Sequence, residues 1–301
     1  MLSIIITTYN RPNMLKHAIC SVLAQKLSQI EIIVVDDNSY EDNSFCIPIV
    51  DKYIKNSKKK GLGENHKIGF RESSGEYVCF LDDDDYYTDN EYFLDAIRYF
   101  KRDLEITMVC ASSCIVYEPS FRLKPVLLNN PEIMTNFEYL QGFGIKYRKP
   151  LSTFTTIFRR SSLIKSGFNK MLKPTDTCLY LRALTVEGKV CFINKVVGNY
   201  RIHEFQMTKS QDCDFIIDAL QEKSVIFNMV KYKLNDYKIW WYNQFRITFD
   251  YYCASNPPKH DLNKVLIWSF AHLYGNPALF RFLLKIWLRN NLLVPNFKKV
   301  S

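Results

Sequence analysis

The sequence predicts an α/β protein: a mixed, mainly parallel sheet flanked by helices, with a helical C-terminal region. Three observations carry this reading. A short β-branched run at 2–6 and the mostly apolar runs 31–35 and 76–81 read as strands buried on both faces. A helical stripe of Met14, Leu15, Ala18, Ile19, Val22 and Leu23 separates the first two. Each run ends in polar residues: Thr7-Thr8-Tyr9-Asn10, Asp36-Asp37-Asn38-Ser39, and Asp82 to Asp85. Strand–helix–strand units of this kind build parallel sheets, and such sheets bind ligands beyond the carboxyl ends of their strands. One crevice should therefore collect all three polar ends.

The elements follow in order. After the first strand, Arg11-Pro12 closes a polar turn, and Pro12 suits the first turn of a helix. Residues 41–55 read as a helix, although Pro48 interrupts it. A basic loop covers 55–60, and Gly61-Leu62-Gly63 opens a further turn. Strands are expected at 106–117 and 190–200, and a helix at 177–187. Beyond about 210 the pattern is helical and aromatic, which divides the chain into 1–210 and 211–301.

Composition narrows the class. The chain has 301 residues, 47% of them hydrophobic, enough for a large core. A net charge of +9 suits an anionic partner without choosing one. No nucleic-acid motif accompanies that charge, and a basic balance fits a diphosphate substrate equally well. The nine cysteines form no C-x-x-C pair and several lie in apolar runs, which reads as reduced thiols in a cytoplasmic protein. The first residues lack a basic region ahead of a signal-like core. The uncharged stretch 265–280 is broken by Gly275-Asn276-Pro277 and is too short to span a bilayer.

The run "VCFLDDDDY" poses the chemical question. Four adjacent carboxylates repel unless something positive sits among them. Oxygen ligands in a cluster suit a hard cation, Mn²⁺ or Mg²⁺, which bridges to substrate phosphates. An EF-hand is excluded by the missing Gly and closing Glu. A D-x-D-x-T phosphatase is excluded because Tyr86 and Tyr87 stand where Thr would fall.

At this point "SIIITTYNRP", "IIVVDDNS", "GEYVCFLDDDD" and "PTDTCLYLRAL" together resemble the nucleotide-sugar glycosyltransferases of family 2, over roughly 2–210. The resemblance implies a GT-A fold and an inverting transfer by direct displacement. It places Thr7, Thr8, Tyr9 and Arg11 in the loop around the nucleotide, and Asp37 at the uracil ring. The D-x-D pair falls on Asp82 and Asp84: Asp84 on the metal, Asp82 on the ribose or the ion, with Asp83 beside the nucleotide. Asp37 also fits a plain turn residue. The general base matches Asp176, which follows the Gly167-Phe168 turn; as a first-turn carboxylate it also fits a helix dipole. The family's Glu before this Asp is Thr175 here. In "NYRIHEFQMTKS", His203 matches a metal or phosphate ligand and Arg201 a phosphate partner. The family's Arg-Asn pair is replaced by His66-Lys67, so no phosphate role is carried to either.

The implied partners are a nucleotide-sugar donor, UDP-linked by the Asp37 match, and a glycan or lipid-linked saccharide acceptor. Past Asp261 six basic residues stand without an acidic one. "FRFLLKIWLRNNLLVPNFKK" therefore reads either as a helical layer or as a peripheral contact with an anionic membrane on its cytoplasmic side. In the second case Phe282, Leu283, Leu284 and Trp287 would lie near the acyl boundary. A nucleotidyltransferase is the competing enzyme class, and "TTYNRPN" lacks the Gly-rich loop it needs. A glycan-binding protein on an inactive transferase fold is the non-catalytic alternative; Asp84 and Asp176 argue against it.

Overall fold

The computed structural model describes residues 1–172, 175–203, 212–255 and 257–292. The chain divides into two compact units, Met1–Gln206 and Met207–Ser301.

In the first unit, β1 (Leu2–Thr8), α1 (Pro12–Leu23) and β2 (Ile30–Asp36) form a parallel unit in which Thr8 pairs with Asp36. The 41–55 stretch is not the expected helix. It is a 3-10 turn, Ser44–Ile49, followed by the edge strand β3 (Lys52–Lys55). Pro48 sits inside the turn and has no N–H to continue a helix, while the β-branched residues beyond it suit a strand. The turn after Gly61 opens α2 (Leu62–Glu72), whose helical pattern was not evident from the sequence. Gly69 lies against Ile5 of β1, where a Cβ would collide with that side chain.

Next come β4 (Tyr77–Asp82), the two-residue β5 (Tyr86–Tyr87) and α3 (Tyr92–Arg102). They are followed by β6 (Ile106–Tyr117), β7 (Arg122–Val126), β8 (Ile133–Thr135) and α4 (Asn136–Gly142). The unit closes with β9 (Thr156–Arg159), α5 (Arg160–Ser166), α6 (Asp176–Ala183) and β10 (Lys189–Ile202). The ten strands form one sheet in the order β3-β2-β1-β4-β9-β6-β10-β5, with β7 on β6 and β8 on β10. β3, β2, β1 and β4 run parallel, whereas β9 is antiparallel to both β4 and β6. Ile4, Ile5 and Ile6 are wholly buried, each such side chain contributing about 2 kcal/mol or so of burial energy.

This topology brings the three polar strand ends together. Thr7 of β1 pairs with Val35 of β2 on one side and Asp82 of β4 on the other. Asn10 and Asn38 adopt positive φ (55° and 67°), which asparagine tolerates. Their loops are stitched: Asn10 N–H donates to Ser39 Oγ (2.9 Å), and Tyr40 N–H donates to Asn10 Oδ1 (2.8 Å).

The second unit holds α7 (Cys213–Val230), α8 (Tyr237–Ala254), α9 (Lys259–Ala271) and α10 (Pro277–Leu292). Its core is aromatic: Trp241, Phe245 and Phe249 are buried, and Phe227 packs on Trp241 and Tyr274. No helix among the described residues is long and apolar enough to cross a membrane. None of the nine cysteines is in a disulfide.

Candidate active site

Each of the four aspartates at the end of β4 has different partners. Asp82 Oδ1 accepts from Thr7 Oγ1 (3.0 Å) and lies 3.8 Å from His66 Nε2. Asp83 is buried and accepts from Thr8 Oγ1 (2.7 Å) and Arg11 Nη1 (3.1 Å). The same Arg11 nitrogen reaches Asp84 Oδ2 at 2.8 Å, and His203 Nε2 lies 3.0 Å from that oxygen. Asp85 turns inward to accept from Ser152 Oγ (2.8 Å) and the Arg201 N–H (3.2 Å). The positive group among the carboxylates is therefore Arg11, and the His203 and His66 rings lie beside Asp84 and Asp82.

Their acidities separate accordingly. Burial and the charge of Asp84 push Asp83 up, against the pull of Arg11. Burial would also raise Asp84, but the His203 hydrogen bond and Arg11 outweigh it and hold Asp84 below the usual carboxylate range. Burial, then the charges of Asp84 and Asp82, push Asp85 well up.

Oxygens of Asp82, Asp84 and Asp85 can all lie within 4.8 Å of one another. That donor set fits a hard divalent cation, and Asp82 and Asp84 keep side-chain exposures of 25% and 14% from which to reach one. Asp85, to which the sequence reading gave no ligand role, belongs to this cluster.

Asp176 is the first residue of α6. Thr175 caps the helix by accepting from the Cys178 N–H (3.3 Å), the cap that a Glu here would not supply as well. Gly167 ends α5 at φ 75°, and Arg182 of α6 donates to Ser166 O (2.6 Å) and Gly167 O (3.4 Å). These bonds fix α6 against the turn. Burial and the nearby charge of Asp82 push Asp176 up to about 6, while Lys149 and His66 pull the other way. Asp176 thus feels the cluster across the crevice, together with two cationic or ring groups that the sequence reading did not assign.

Lys149 sits on a segment clamped at both ends. The Arg148 carbonyl accepts from Asn130 Nδ2 and Tyr139 OH (2.8 Å each), and Ser152 is bonded to Asp85. No periodic pattern surrounds Lys149, so nothing in the sequence singled it out. His66, on α2, is 1% exposed, packs on Phe80 at 4.7 Å, and its Nε2 makes no hydrogen bond.

The remaining predicted residues fall around the same mouth. Tyr9 is 38% exposed, with the Lys59 ammonium 3.8 Å from its ring centre. Asp37 is buried and accepts from the Lys60 N–H (2.7 Å) and Gly61 N–H (2.9 Å), so it ties down the loop ahead of α2. The Arg201 guanidinium contacts Glu118 (3.4 Å) and His17 (3.0 Å) and lies over Tyr86. It is engaged with these side chains and reaches the cluster through its backbone N–H. Residues 204–210 of the segment after His203 lie outside the described residues, as does Pro174 ahead of α6.

With this geometry in hand, comparison with known proteins gives the family. Residues 3–168 match the model of Glycosyl transferase family 2, and the chain belongs to that family. One relative is the UDP-Glc:alpha-D-GlcNAc-diphosphoundecaprenol beta-1,3-glucosyltransferase WfaP of Escherichia coli. It is 27% identical over 234 residues, 75% of this chain and 86% of that one. Another is the GalNAc(5)-diNAcBac-PP-undecaprenol beta-1,3-glucosyltransferase of Campylobacter jejuni, 38% identical over 91 residues. That match spans 28% of this chain and only 29% of the Campylobacter protein.

Among solved structures, S. aureus TarS 1–349 in complex with UDP-GlcNAc aligns with a TM-score of 0.63 at 16% identity. It covers 96% of this chain and 91% of that one. Mannosyltransferase PcManGT from Pyrobaculum calidifontis, in complex with GDP-Man and Mn²⁺, aligns at 0.52 and 13% identity, covering 96% and 80%. These likenesses show the fold, which is GT-A.

Proposed function

We propose that the chain is a metal-dependent inverting glycosyltransferase. It would move a hexosyl or N-acetylhexosaminyl unit from a UDP donor to a hydroxyl of a lipid-linked saccharide. The observation that carries this reading is the nearness of Asp176 to a cluster of carboxylates that could hold a cation: it lies close enough to Asp82 for that charge, with burial, to raise its carboxyl. The E. coli and Campylobacter relatives, named for undecaprenol-linked acceptors, support the acceptor class. The UDP-GlcNAc complex of a protein with the same fold supports the donor class.

The residues divide the work. Tyr9, Thr8 and Asp37 bound the nucleotide end. Asp84 and Asp82, with Asp85 behind them, would hold Mn²⁺ or Mg²⁺. When bound there, such an ion neutralises charge on the diphosphate leaving group. Asp176 takes the proton of the attacking hydroxyl, and an acidity near 6 suits a base that must be ionised yet still accept a proton near neutrality. Lys149 keeps that carboxylate charged until the acceptor arrives. The acceptor would be presented at the cytoplasmic face of a membrane.

The test is a donor screen by thermal shift with Mn²⁺ across UDP-, GDP- and dTDP-sugars, paired with product detection on a diphosphate-linked acceptor. Stabilisation by UDP-sugars and a glycosylated product are expected. Binding without product would favour a non-catalytic role.

A further inference from the structure

Helix α10 is seated by one face only. Asn276 caps it, accepting from the Ala278 and Leu279 N–H groups at 3.0 Å each, and donates to the Lys238 carbonyl at 2.6 Å. Leu279 and Leu283 are fully buried, Phe282 meets Tyr242 and Phe249 edge-on, and Asn290 donates to Asn263. Phe282 and Leu283, which the membrane alternative would set near the acyl boundary, therefore belong to the packing of their own unit.

The seat turns a different set outward. Arg281, Lys285 and Arg289 recur every four residues and are exposed, forming one stripe along the helix. Leu288, 37% exposed, flanks this stripe; further round the helix lie Trp287, 41% exposed, and Phe280, 44% exposed, whose ring also meets Phe270 of α9 edge-on. α10 carries no carboxylate, and none follows Asp261.

We propose that this outward face of α10 is a docking surface for an anionic phospholipid bilayer, with the helix lying in the interfacial plane. Charge complementarity selects the occupant. The cations meet headgroup phosphates while the adjoining apolar flank, Leu288 and Trp287, enters the acyl boundary. Trp suits that boundary because its ring is apolar and its N–H is polar. A nucleic acid would satisfy the cations and leave the apolar strip in water. The inference does not depend on turnover at the site, because the surface shares no residue with it.

The test uses the full chain and vesicles of phosphatidylcholine alone or mixed with phosphatidylglycerol, by co-sedimentation at low and high salt. Binding should require phosphatidylglycerol and weaken with salt. A basic residue near an anionic surface contributes about fivefold to partitioning, so Arg281→Gln/Lys285→Gln/Arg289→Gln should lose on the order of a hundredfold. Trp287→Ser/Leu288→Ser should weaken binding while leaving its salt dependence in place. A readout that needs no charge variant is the emission difference between wild type and Trp287→Phe, which should shift to the blue only with phosphatidylglycerol vesicles. Equal partitioning into both vesicle types, a triple variant within twofold of wild type, or an unmoved Trp287 emission would overturn the proposal. So would tight binding of duplex DNA with no binding to vesicles.

Discussion

His203 Nε2 lies 3.0 Å from Asp84 Oδ2, the same oxygen that Arg11 meets at 2.8 Å. Asp84 is held below the usual carboxylate range because these two partners outweigh the burial that would raise it. A carboxyl depressed in this way stabilises the fold above its unfolded pKa, and that contribution is lost as pH falls through the folded value, below about 4. His203→Ala should lower stability at neutral pH by about 2 kcal/mol, as expected for a hydrogen bond to a charged group. The melting-temperature gap from wild type should narrow as the pH is taken below about 4. A gap that widens on acidification would contradict the pairing.

Arg11 separates Asp83 from Asp84, so Arg11→Met leaves two neighbouring carboxylates without their shared cation. Breaking such a pair costs about 3 kcal/mol. Mn²⁺ should restore part of the loss by replacing the missing charge among the same oxygens. Thermal melts with and without Mn²⁺ measure this; a variant that Mn²⁺ leaves unchanged would argue against a cation site here.

Asp176 carries the opposite sign. Burial and Asp82 raise it to about 6, so its ionised form is unfavourable to folding once pH rises through that value. Asp176→Asn should therefore stabilise the substrate-free protein at about pH 8 by roughly 1–2 kcal/mol and do little at about pH 4. Denaturant melts at the two pH values give the comparison, and a variant less stable at the higher pH would contradict the raised acidity.

Lys149 opposes the upward push on Asp176. Lys149→Met should move the acidic limb of the kcat/KM profile to higher pH. A lowered rate with an unmoved limb would assign Lys149 to packing alone.

Much of this was legible in the sequence because the features are local. β1, β2 and β4 are apolar on both faces, and their polar ends announce the crevice. The 106–117 strand coincides with β6 for the same reason. The 41–55 stretch misled because apolar spacing near Pro48 imitates a helix, while the pairing of β3 with β2 is a long-range choice. Asp85 and Asp84 look identical in "DDDD"; only Ser152 and the backbone of Arg201 distinguish them. Lys149 and His66 lie far from Asp176 in sequence, and only the sheet order brings all three to one crevice. α10 shows the same limit: Leu283 and Leu284 are alike until Leu283 is found fully buried.

The most direct test of the central claim is single-turnover transfer from a Mn²⁺-loaded UDP-sugar by wild type and Asp176→Asn, with donor affinity measured on the same samples. Donor affinity within about twofold and transfer reduced at least about 10²-fold, the scale of a lost general base, are expected. Transfer within a few-fold of wild type would place the base elsewhere than Asp176.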